Sequence, residues 1–268
     1  MKYSHKTNGH QARKRFGQNF LVDQDVIELI VEAVKPEKND NLIEIGAGQG
    51  AITGPLLAQC PGLNIIELDR DLILVLKNKF QEYVNLEIHQ GDALKVNFRK
   101  FYTDGRPLRI VGNLPYNITT PLLFHLLDFN EYISDMYFML QKEVVDRLSS
   151  LPGQKSYGRL SVMIQYYCKV HPLFLVPPSA FNPIPKVDSA MVLLQPYSSP
   201  PYKATDLSLL SELVRTCFQQ RRKTIRNSLK LILPDSDLRQ LDIDLTLRPE
   251  NLSVEQFVRL SNQMSFLL

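Results

Sequence analysis

The sequence predicts an α/β protein, with a doubly wound sheet covered by helices on both faces and followed by a small all-helical C-terminal domain. Three observations support this prediction. Short apolar runs alternate with helical patterns from residue 41 to about residue 150. The glycine-rich segment EIGAGQGA (44–51) follows the first of these runs, and the periodicity beyond residue 198 is helical. Doubly wound sheets bind ligands at the carboxyl ends of their strands, so candidate site residues are sought there.

The strand candidates are short runs of aliphatic and β-branched residues bounded by turn-forming residues. Two segments between them, 51–59 and 70–80, have apolar residues at the spacing of an amphipathic helix. In chain order, the strand candidates are NLIEIG (41–46), LNIIELD (63–69), VNLEIH (84–89), LRIVGN (108–113), ISDMYFML (133–140) and AMVLLQP (190–196).

The last part of the α/β region is less regular. Residues 159–168, RLSVMIQYYC, have helical spacing, and the proline-rich stretch 171–189 that follows is assigned no element. Prolines and serines at 198–205, SSPPYKAT, break the periodicity and indicate a linker. We therefore divide the chain into an α/β domain with a basic N-terminal arm, residues 1–197, and a C-terminal domain, residues 198–268.

The C-terminal domain is predicted to be helical. Residues 206–218 and 222–232 have apolar residues three and four positions apart, as the buried face of a helix does. Ser253 and Gln256 have the spacing of a capping box, which places the start of the last helix there.

Size and composition set the broad class of the protein. With 268 residues, 44% of them hydrophobic, the chain can bury a sizeable core without disulfides or metal ions. Cys60, Cys168 and Cys217 are scattered, which argues against a disulfide framework and a zinc site and favours a reducing compartment. The basic N-terminus is followed by no apolar segment, and no run approaches the ~20 apolar residues of a membrane span. We expect a soluble, cytoplasmic protein without membrane segments or bound metal.

Positive charge is concentrated in two places. The net charge of +3 is too small to indicate a nucleic-acid partner by itself. Residues 13–15, RKR, form one cluster, and residues 221–223, RRK, lie in a second, within QQRRKTIRNSLK. Each cluster is either a phosphate-binding surface or an ordinary solvated face.

The segment EIGAGQGA lies between a strand candidate and a helix candidate. Gly46, Gly48 and Gly50 let the backbone approach a bound cofactor closely and adopt positive φ. Gly46, Gly48 and Ala51 also fit the dinucleotide fingerprint G-x-G-x-x-A. NAD and S-adenosylmethionine therefore both remain candidates, as does a purely structural turn.

Acidic residues end the next two strand candidates. Glu67 and Asp69 lie about 20 residues beyond the glycine loop, where an acid can accept hydrogen bonds from a ribose. Asp69 also fits the N-cap of the next helix. Asp92, in HQGDAL, can accept from the amino group of an adenine or cap a helix instead. NAD binding requires no third carboxylate, so Asp92 favours S-adenosylmethionine.

Asn113, Leu114, Pro115 and Tyr116 follow the fourth strand candidate. Methylation of an exocyclic amino group requires its lone pair to be drawn out of conjugation with the ring and directed at the methyl carbon. Acceptors on the two N–H groups achieve this, and the Asn113 side-chain oxygen and the Leu114 carbonyl can supply them. Pro115 makes the turn rigid, and Tyr116 offers a face on which a base can stack. The alternative is an ordinary turn followed by a buried tyrosine.

Taken together, these motifs closely resemble the small-subunit ribosomal RNA adenine dimethyltransferases, the KsgA family. The resemblance runs almost from end to end of the chain and is specific in its order and spacing. Its motifs are RKRFGQNFL (13–21), EIGAGQGAIT (44–53), IELDRDL (66–72), QGDAL (90–94), GNLPYNITTPL (112–122), YGRLSV (157–162), SAFNPIPKVDS (179–189) and QRRKTIRNSL (220–229).

The resemblance implies a fold and a reaction. The fold is a Rossmann-like, S-adenosylmethionine-dependent methyltransferase sheet. The reaction is dimethylation at N6 of two adjacent adenosines in a loop near the 3′ end of small-subunit (16S) ribosomal RNA, in a pre-ribosomal particle. A monomer is the expected form of a protein that acts on so large a particle.

The resemblance also assigns roles to residues. The implied catalytic residues are Asn113, Leu114, Tyr116 and Phe181. Phe181 is placed opposite Tyr116 across the target base, although by itself it would be interpreted as core. The implied cofactor contacts are Asn19, Leu21, Gly46, Glu67, Asp92 and Asn113, and the implied RNA contacts are Lys14, Arg15, Arg221, Arg222 and Lys223.

Three alternatives share part of these observations. The antibiotic-resistance methylases of large-subunit RNA use the same chemistry, but QRRKTIRNSL and FNPIPKVDS resemble the small-subunit branch. A ribosome-assembly or transcription factor could keep the fold and only bind nucleic acid, which the intact Asn113, Tyr116 and Glu67 argue against. An NAD oxidoreductase would have no use for NLPY or for the basic clusters.

Overall fold

The structure, a computed structural model, describes residues 18–220 and 222–267. Its strands are β1 (Phe20–Leu21), β2 (Asn41–Ile45), β3 (Asn64–Glu67), β4 (Glu87–Gln90), β5 (Leu108–Asn113), β6 (Ile133–Gln141), β7 (Cys168–Val176), β8 (Phe181–Asn182) and β9 (Ser189–Pro196).

The main sheet has seven strands in the order β4-β3-β2-β5-β6-β9-β7. The strands from β2 to β6 pair in parallel, and β9 is antiparallel to β6. The predicted α/β sheet and its six predicted strands are confirmed, and the apolar runs of the central strands β2, β3 and β5 reflect burial on both faces. Because β2 has β3 on one side and β5 on the other, the strand order reverses there and opens a crevice at the carboxyl ends.

Strand β7 was not expected from the sequence pattern. It begins at Cys168, the last residue of a segment predicted to be helical, and continues into the proline-rich stretch. Several consecutive residues of β7 are exposed, so the strand lacks the regular alternation that predicts a half-buried strand. Pro172 is accommodated because β7 is an edge strand, where a missing N–H group leaves no ladder position unpaired.

The helices that follow the strands are α1 (Gln24–Val34), α2 (Thr53–Gln59), α3 (Arg70–Lys79) and α4 (Thr119–Leu127). Helices α2 and α3 were predicted from the sequence, whereas α1 and α4 were not. Asp23 caps α1 by accepting hydrogen bonds from the N–H groups of Asp25 and Val26. The buried faces of α1, α2 and α3 share one core with Leu42 and Val111 of the sheet.

Contacts within the chain separate two compact units. The first contains the described residues up to Lys142 together with His171–Pro196, and the second contains Glu143–Val170 and the described residues from Tyr197 onward. Residues 143–170 thus group by contact with the C-terminal helices. The division into domains 1–197 and 198–268 stays a prediction.

The remaining helices are α5 (Lys142–Ser149), α6 (Arg159–Tyr167), α7 (Leu207–Gln219), α8 (Ile225–Leu229), α9 (Asp235–Leu238) and α10 (Val254–Met264). The predicted helix at 206–218 is confirmed as α7, and the predicted capping box is confirmed at α10 by the bonds between Ser253 and Gln256. Helix α8 is shorter than predicted because Thr224 has extended backbone at its start and the chain continues beyond Leu229 in turns. Within the described ranges, no helix is long and apolar enough to cross a membrane.

Candidate active site

One cleft lies at the carboxyl ends of β2, β3, β4 and β5. Its empty volume is about 1200 Å³, part of which is open to solvent. Because neighbouring parallel strands end at the same edge of a sheet, the cleft collects residues from distant motifs. The sequence-predicted site residues that line it are Asn19, Leu21, Gly46, Glu67, Asp92, Asn113, Leu114 and Tyr116.

The glycine loop between β2 and α2 is held from two sides. Gly48 has a φ of +59°, and a Cβ atom at this position would lie 3.1 Å from Cδ1 of Phe20. The Phe20 ring therefore packs against the loop, and a side chain at position 48 would require the ring or the loop to shift by a few tenths of an ångström. From α3, the Lys79 ammonium donates hydrogen bonds to the carbonyls of Gln49 and Gly50, at 3.0 and 3.2 Å. The loop is thus shaped before any ligand arrives.

Glu67, at the end of β3, presents an oriented carboxylate. Its Oε1 accepts from the N–H groups of Leu68 and Asp69, both at 2.9 Å, and its Oε2 accepts from the N–H of Gly48 at 3.1 Å. Burial raises the pKa of Glu67, and these backbone hydrogen bonds partly oppose that effect. A carboxylate oxygen can accept two hydrogen bonds, so Oε2 keeps one acceptor position for a ligand hydroxyl group.

Glu44 is a cleft residue that the sequence analysis did not identify. It lies in β2 beneath the glycine loop, is 1% exposed, and accepts a hydrogen bond from the Thr53 hydroxyl at 2.7 Å. Burial raises the pKa of Glu44 to about 8, an effect that the Thr53 bond partly opposes and the nearby Glu67 reinforces. The carboxyl group is therefore largely protonated at neutral pH.

Two further acids border the cleft and also cap turns. Asp69 is the N-cap of α3, as predicted, and its Oδ2 accepts from the side chain of Gln18 at 3.3 Å. Gln18, in the FGQNFL motif, was also missed by the sequence analysis. Asp92 accepts from the N–H of Leu94 at 3.0 Å, so it caps a short turn while lining the cleft. In the described part of the chain, no group of three or more His, Cys, Asp or Glu residues could hold a metal ion.

Asn113, the last residue of β5, has its side-chain orientation fixed. Its Nδ2 donates to the carbonyl oxygen of Asn19 at 3.1 Å. Since the amide nitrogen is bound there, the Oδ1 atom is left to accept a hydrogen bond from a ligand in the cleft. The FGQNFL and NLPY motifs, separated by nearly a hundred residues, thus meet directly.

The turn after Asn113 is fixed by hydrogen bonds to neighbouring elements. The N–H of Leu114 donates to the carbonyl of Met139 in β6 at 3.2 Å, and the carbonyl of Pro115 accepts from Ile118 and Thr119. No described residue donates a hydrogen bond to the Leu114 carbonyl. The hydroxyl of Tyr116 lies 2.9 Å from that of Ser189, so the ring is fixed at its far end as well.

Phe181 is buried beside the cleft and does not line it. It is 2% exposed and belongs to the same core as Leu21, to which it is paired in the two-stranded antiparallel sheet of β1 and β8. This sheet joins the FGQNFL motif to the AFNP motif. Phe181 therefore lies in the core, as its sequence context alone would suggest. Its role opposite Tyr116 stays a prediction.

The predicted RNA contacts are only partly described. Lys14, Arg15 and Arg221 lie outside the described residues. Arg222 and Lys223 are exposed in the turn between α7 and α8.

The chain is similar to known proteins over almost its whole length. A family model described as "Ribosomal RNA adenine dimethylase" matches residues 9–265. The "Ribosomal RNA small subunit methyltransferase A" of Saccharophagus degradans is 59% identical over 96% of this chain and 96% of its own. A dimethyladenosine transferase structure from Plasmodium falciparum matches with a TM-score of 0.76 at 28% identity, covering 90% of this chain and 95% of that one. The structure of the 23S rRNA methyltransferase ErmE matches with a TM-score of 0.69 at 25% identity, covering 92% and 100%.

Proposed function

This chain belongs to the ribosomal RNA adenine dimethylase family, and we propose that it methylates small-subunit RNA. The reaction is transfer of methyl groups from S-adenosylmethionine to N6 of two adjacent adenosines in a loop near the 3′ end of 16S ribosomal RNA, giving N6,N6-dimethyladenosine. The proposal includes a pre-ribosomal particle as the substrate, the cytoplasm as the location and a monomer as the active form.

The donor half of the cleft fits S-adenosylmethionine, the methyl donor of this family. Glu67 keeps a free acceptor position on Oε2, which suits a ribose hydroxyl, while three backbone N–H groups hold its carboxylate in place. The positive φ of Gly46 and Gly48 brings the backbone close to the bound molecule. Asp92, which lines the same cleft, is the residue proposed to accept from the adenine amino group.

The observation that carries the proposal is the pair of acceptors at the end of β5. Oδ1 of Asn113 is free because Nδ2 is bound to Asn19, and the neighbouring Leu114 carbonyl receives no hydrogen bond from the described residues. An exocyclic amino group has two N–H donors, which match these two acceptors. The same cleft contains Glu67, so one opening serves both donor and acceptor.

The two acceptors supply the chemistry that this reaction requires of the protein. S-adenosylmethionine supplies the methyl group, which leaves its sulfur as the bond to N6 forms. In the first transfer, hydrogen bonds to Asn113 and Leu114 draw the N6 lone pair out of conjugation and direct it at the methyl carbon. In the second transfer N6 has one N–H left, so one of these bonds performs this role. The cationic amine then loses a proton to water, so no strong base is needed before transfer. Positioning of this kind contributes roughly 7–11 kcal/mol in favourable cases.

We propose that an aromatic ring binds the target base and that basic residues bind the RNA phosphates. A target base must leave its stack to reach the cleft, and Tyr116 at the cleft offers a face on which it can rest. Arg222 and Lys223 are exposed and suit contacts to phosphates. The same role is proposed for Lys14, Arg15 and Arg221.

The test uses small ribosomal subunits that lack the modification. The protein is incubated with them, and in a parallel reaction with large subunits, in the presence of radiolabelled S-adenosylmethionine, and the RNA is digested to nucleosides. Labelled N6,N6-dimethyladenosine is the expected product. The absence of label in RNA would refute the proposal. Label confined to large-subunit RNA would indicate that the chain is a methylase of large-subunit RNA instead.

A further inference from the structure

Ser189 carries a hydroxyl group that the chemistry above leaves without a role. The residue is 1% exposed and begins β9, where it pairs with Gln141 at the carboxyl end of β6. Its Oγ lies 2.9 Å from Oη of Tyr116. Ser189 is not among the residues that line the cleft, so its contact with the site passes through this bond.

We propose that Ser189 is a positioning residue, whose hydroxyl holds the Tyr116 ring in the orientation in which the target adenine stacks on it. The inference rests on the proposed function, because it assumes that Tyr116 receives the base.

The physical reason is that, among the described residues, the other hydrogen bonds at this turn involve its backbone. The bonds of Leu114 to Met139 and of Pro115 to the start of α4 hold the turn, but none of them fixes the χ angles of the Tyr116 ring. Ser189 fixes the opposite end of the ring from a paired strand of the sheet. A ring that is already oriented does not lose rotamer freedom when the base arrives, which favours productive binding.

A purely structural role for Ser189 makes different predictions. If the bond only satisfied a buried hydroxyl, its loss would lower the stability of the fold and reduce all functions to the same extent. A positioning role instead affects the RNA step selectively and depends on the Tyr116 hydroxyl. Binding of S-adenosylmethionine is expected to be spared, since Ser189 does not line the cleft and its hydroxyl bonds to Tyr116 and not to Glu67 or the glycine loop.

The experiment compares the wild type with Ser189→Ala, Tyr116→Phe and the double variant. Ser134→Ala is the matched control. The Ser134 hydroxyl also donates a hydrogen bond, to the carbonyl of Leu108, but it lies at the amino ends of β5 and β6, away from the cleft. For each protein, kcat and KM are measured for the unmodified small subunit and for S-adenosylmethionine. Thermal unfolding of each protein shows that it is folded at the assay temperature.

Each single variant at the Tyr116–Ser189 pair is expected to lose about tenfold in kcat/KM for RNA, which corresponds to about 1.4 kcal/mol, the size of one neutral hydrogen bond. The double variant should lose no more than either single one, and the KM for S-adenosylmethionine should not change. If the losses in kcat/KM of the two single variants multiply in the double variant, the positioning role is wrong. It is also wrong if Ser189→Ala methylates RNA as fast as an active wild type, and in both cases the proposed function still stands. A wild type that methylates no RNA would overturn the proposed function with it.

Discussion

Asn113 is the residue on which the acceptor geometry depends most directly. Replacing it by Ala removes Oδ1, one of the two acceptors that orient the N6 lone pair. We expect Asn113→Ala to lower kcat about a hundredfold or more, in the range seen when one preorganised hydrogen-bonding group is removed from an active site. Much of the affinity for S-adenosylmethionine should remain, because Glu67 and the glycine loop are untouched. Single-turnover methyl transfer and calorimetric titration of the donor measure the two effects.

Asn117→Ala is the matched control for this variant. Asn117 is an exposed amide that lines the same cleft, so the control changes the same side chain a few residues away. It is expected to retain most of the transfer rate. Normal turnover by Asn113→Ala would show that the role assigned to its amide is wrong.

Glu44 makes the stability of the fold depend on pH. Its ordinary pKa of 4.5 is raised by burial to about 8 in the folded protein. Between these values the folded state retains a proton that the unfolded chain has lost, so stability falls as pH rises. Glu44→Gln removes this dependence. We expect the stability of the wild type relative to Glu44→Gln to fall by a few kcal/mol, in order of magnitude, between about pH 5 and about pH 8.

Urea unfolding of both proteins at several pH values measures this difference. Gln keeps an oxygen that can accept the Thr53 hydroxyl, so the variant preserves the shape of the site. If the free energy of unfolding depends on pH in the same way in the two proteins, Glu44 has the same pKa in the folded and the unfolded state, and the prediction is wrong.

The strand-end rule predicted the positions of most site residues, because parallel strands deliver their carboxyl ends to one edge whatever their exact register. It could not predict which side chains bond across the site. The bonds of Gln18 to Asp69 and of Ser189 to Tyr116 join residues 51 and 73 positions apart, and no local pattern marks such pairs. Glu44 lies within a predicted strand, where nothing in the alternation of residues distinguishes a buried acid from an exposed one.

Among the elements, the glycine loop is the most sensitive to substitution. Ala at position 48 would adopt the left-handed conformation at φ +59° and would bring its Cβ within 3.1 Å of the Phe20 ring. We expect Gly48→Ala to cost about 1–2 kcal/mol of stability and to weaken binding of S-adenosylmethionine, because the loop must shift. Chemical denaturation and donor titration measure both.

Gly62→Ala provides the comparison. A Cβ at Gly62 meets no atom within 4 Å, and its φ lies outside the left-handed range that hinders other residues. This variant should bind the donor normally. Equal donor affinity in Gly48→Ala and Gly62→Ala would mean that the loop adapts without cost to the site.

Element boundaries could be predicted where capping or periodicity is local, and not elsewhere. The box of Ser253 and Gln256 marks the start of α10 because the bonds lie within one turn of helix. Strand β7 forms by pairing at the edge of the sheet, and the sequence pattern of a proline-rich segment does not predict such pairing. The core position of Phe181 is likewise set by the distant FGQNFL motif, through the pairing of Leu21 with Phe181.

At the scale of the molecule, the cleft of the first unit and a cluster of charged residues that stabilises this unit lie at opposite ends of the strands. Arg109 lies near the start of β5, at the edge opposite the cleft, and its guanidinium bonds to Asp40, to Asp135 and to the carbonyl of Val34 at the end of α1. The side chain is 15% exposed. Arg109→Met would leave two half-buried carboxylates, Asp40 and Asp135, without their guanidinium partner, and we expect a loss of about 3 kcal/mol of stability, the lower end of the range for buried pairs.

Equilibrium unfolding measures this loss, and methyl transfer at low temperature should be retained because Arg109 does not line the cleft. Arg106→Met is the comparison, since Arg106 pairs with Asp104 at the exposed surface and should change the midpoint little. Equal midpoints for the two variants would contradict the stabilising role of the Arg109 cluster.

The second unit carries Arg222 and Lys223, two of the residues proposed to contact RNA. Phosphate contacts release counterions, so each one adds about 0.7–0.9 to the slope of log affinity against log salt concentration. Arg222→Glu should therefore weaken binding to the small subunit, flatten this slope and leave binding of S-adenosylmethionine unchanged. Lys38→Glu changes the net charge equally, but Lys38 is an exposed residue just before β2, at the edge away from the cleft. Binding of each protein to unmodified subunits at several salt concentrations separates a specific contact from general charge. Equal losses in both variants would refute the contact at Arg222, because net charge alone would then account for the effect.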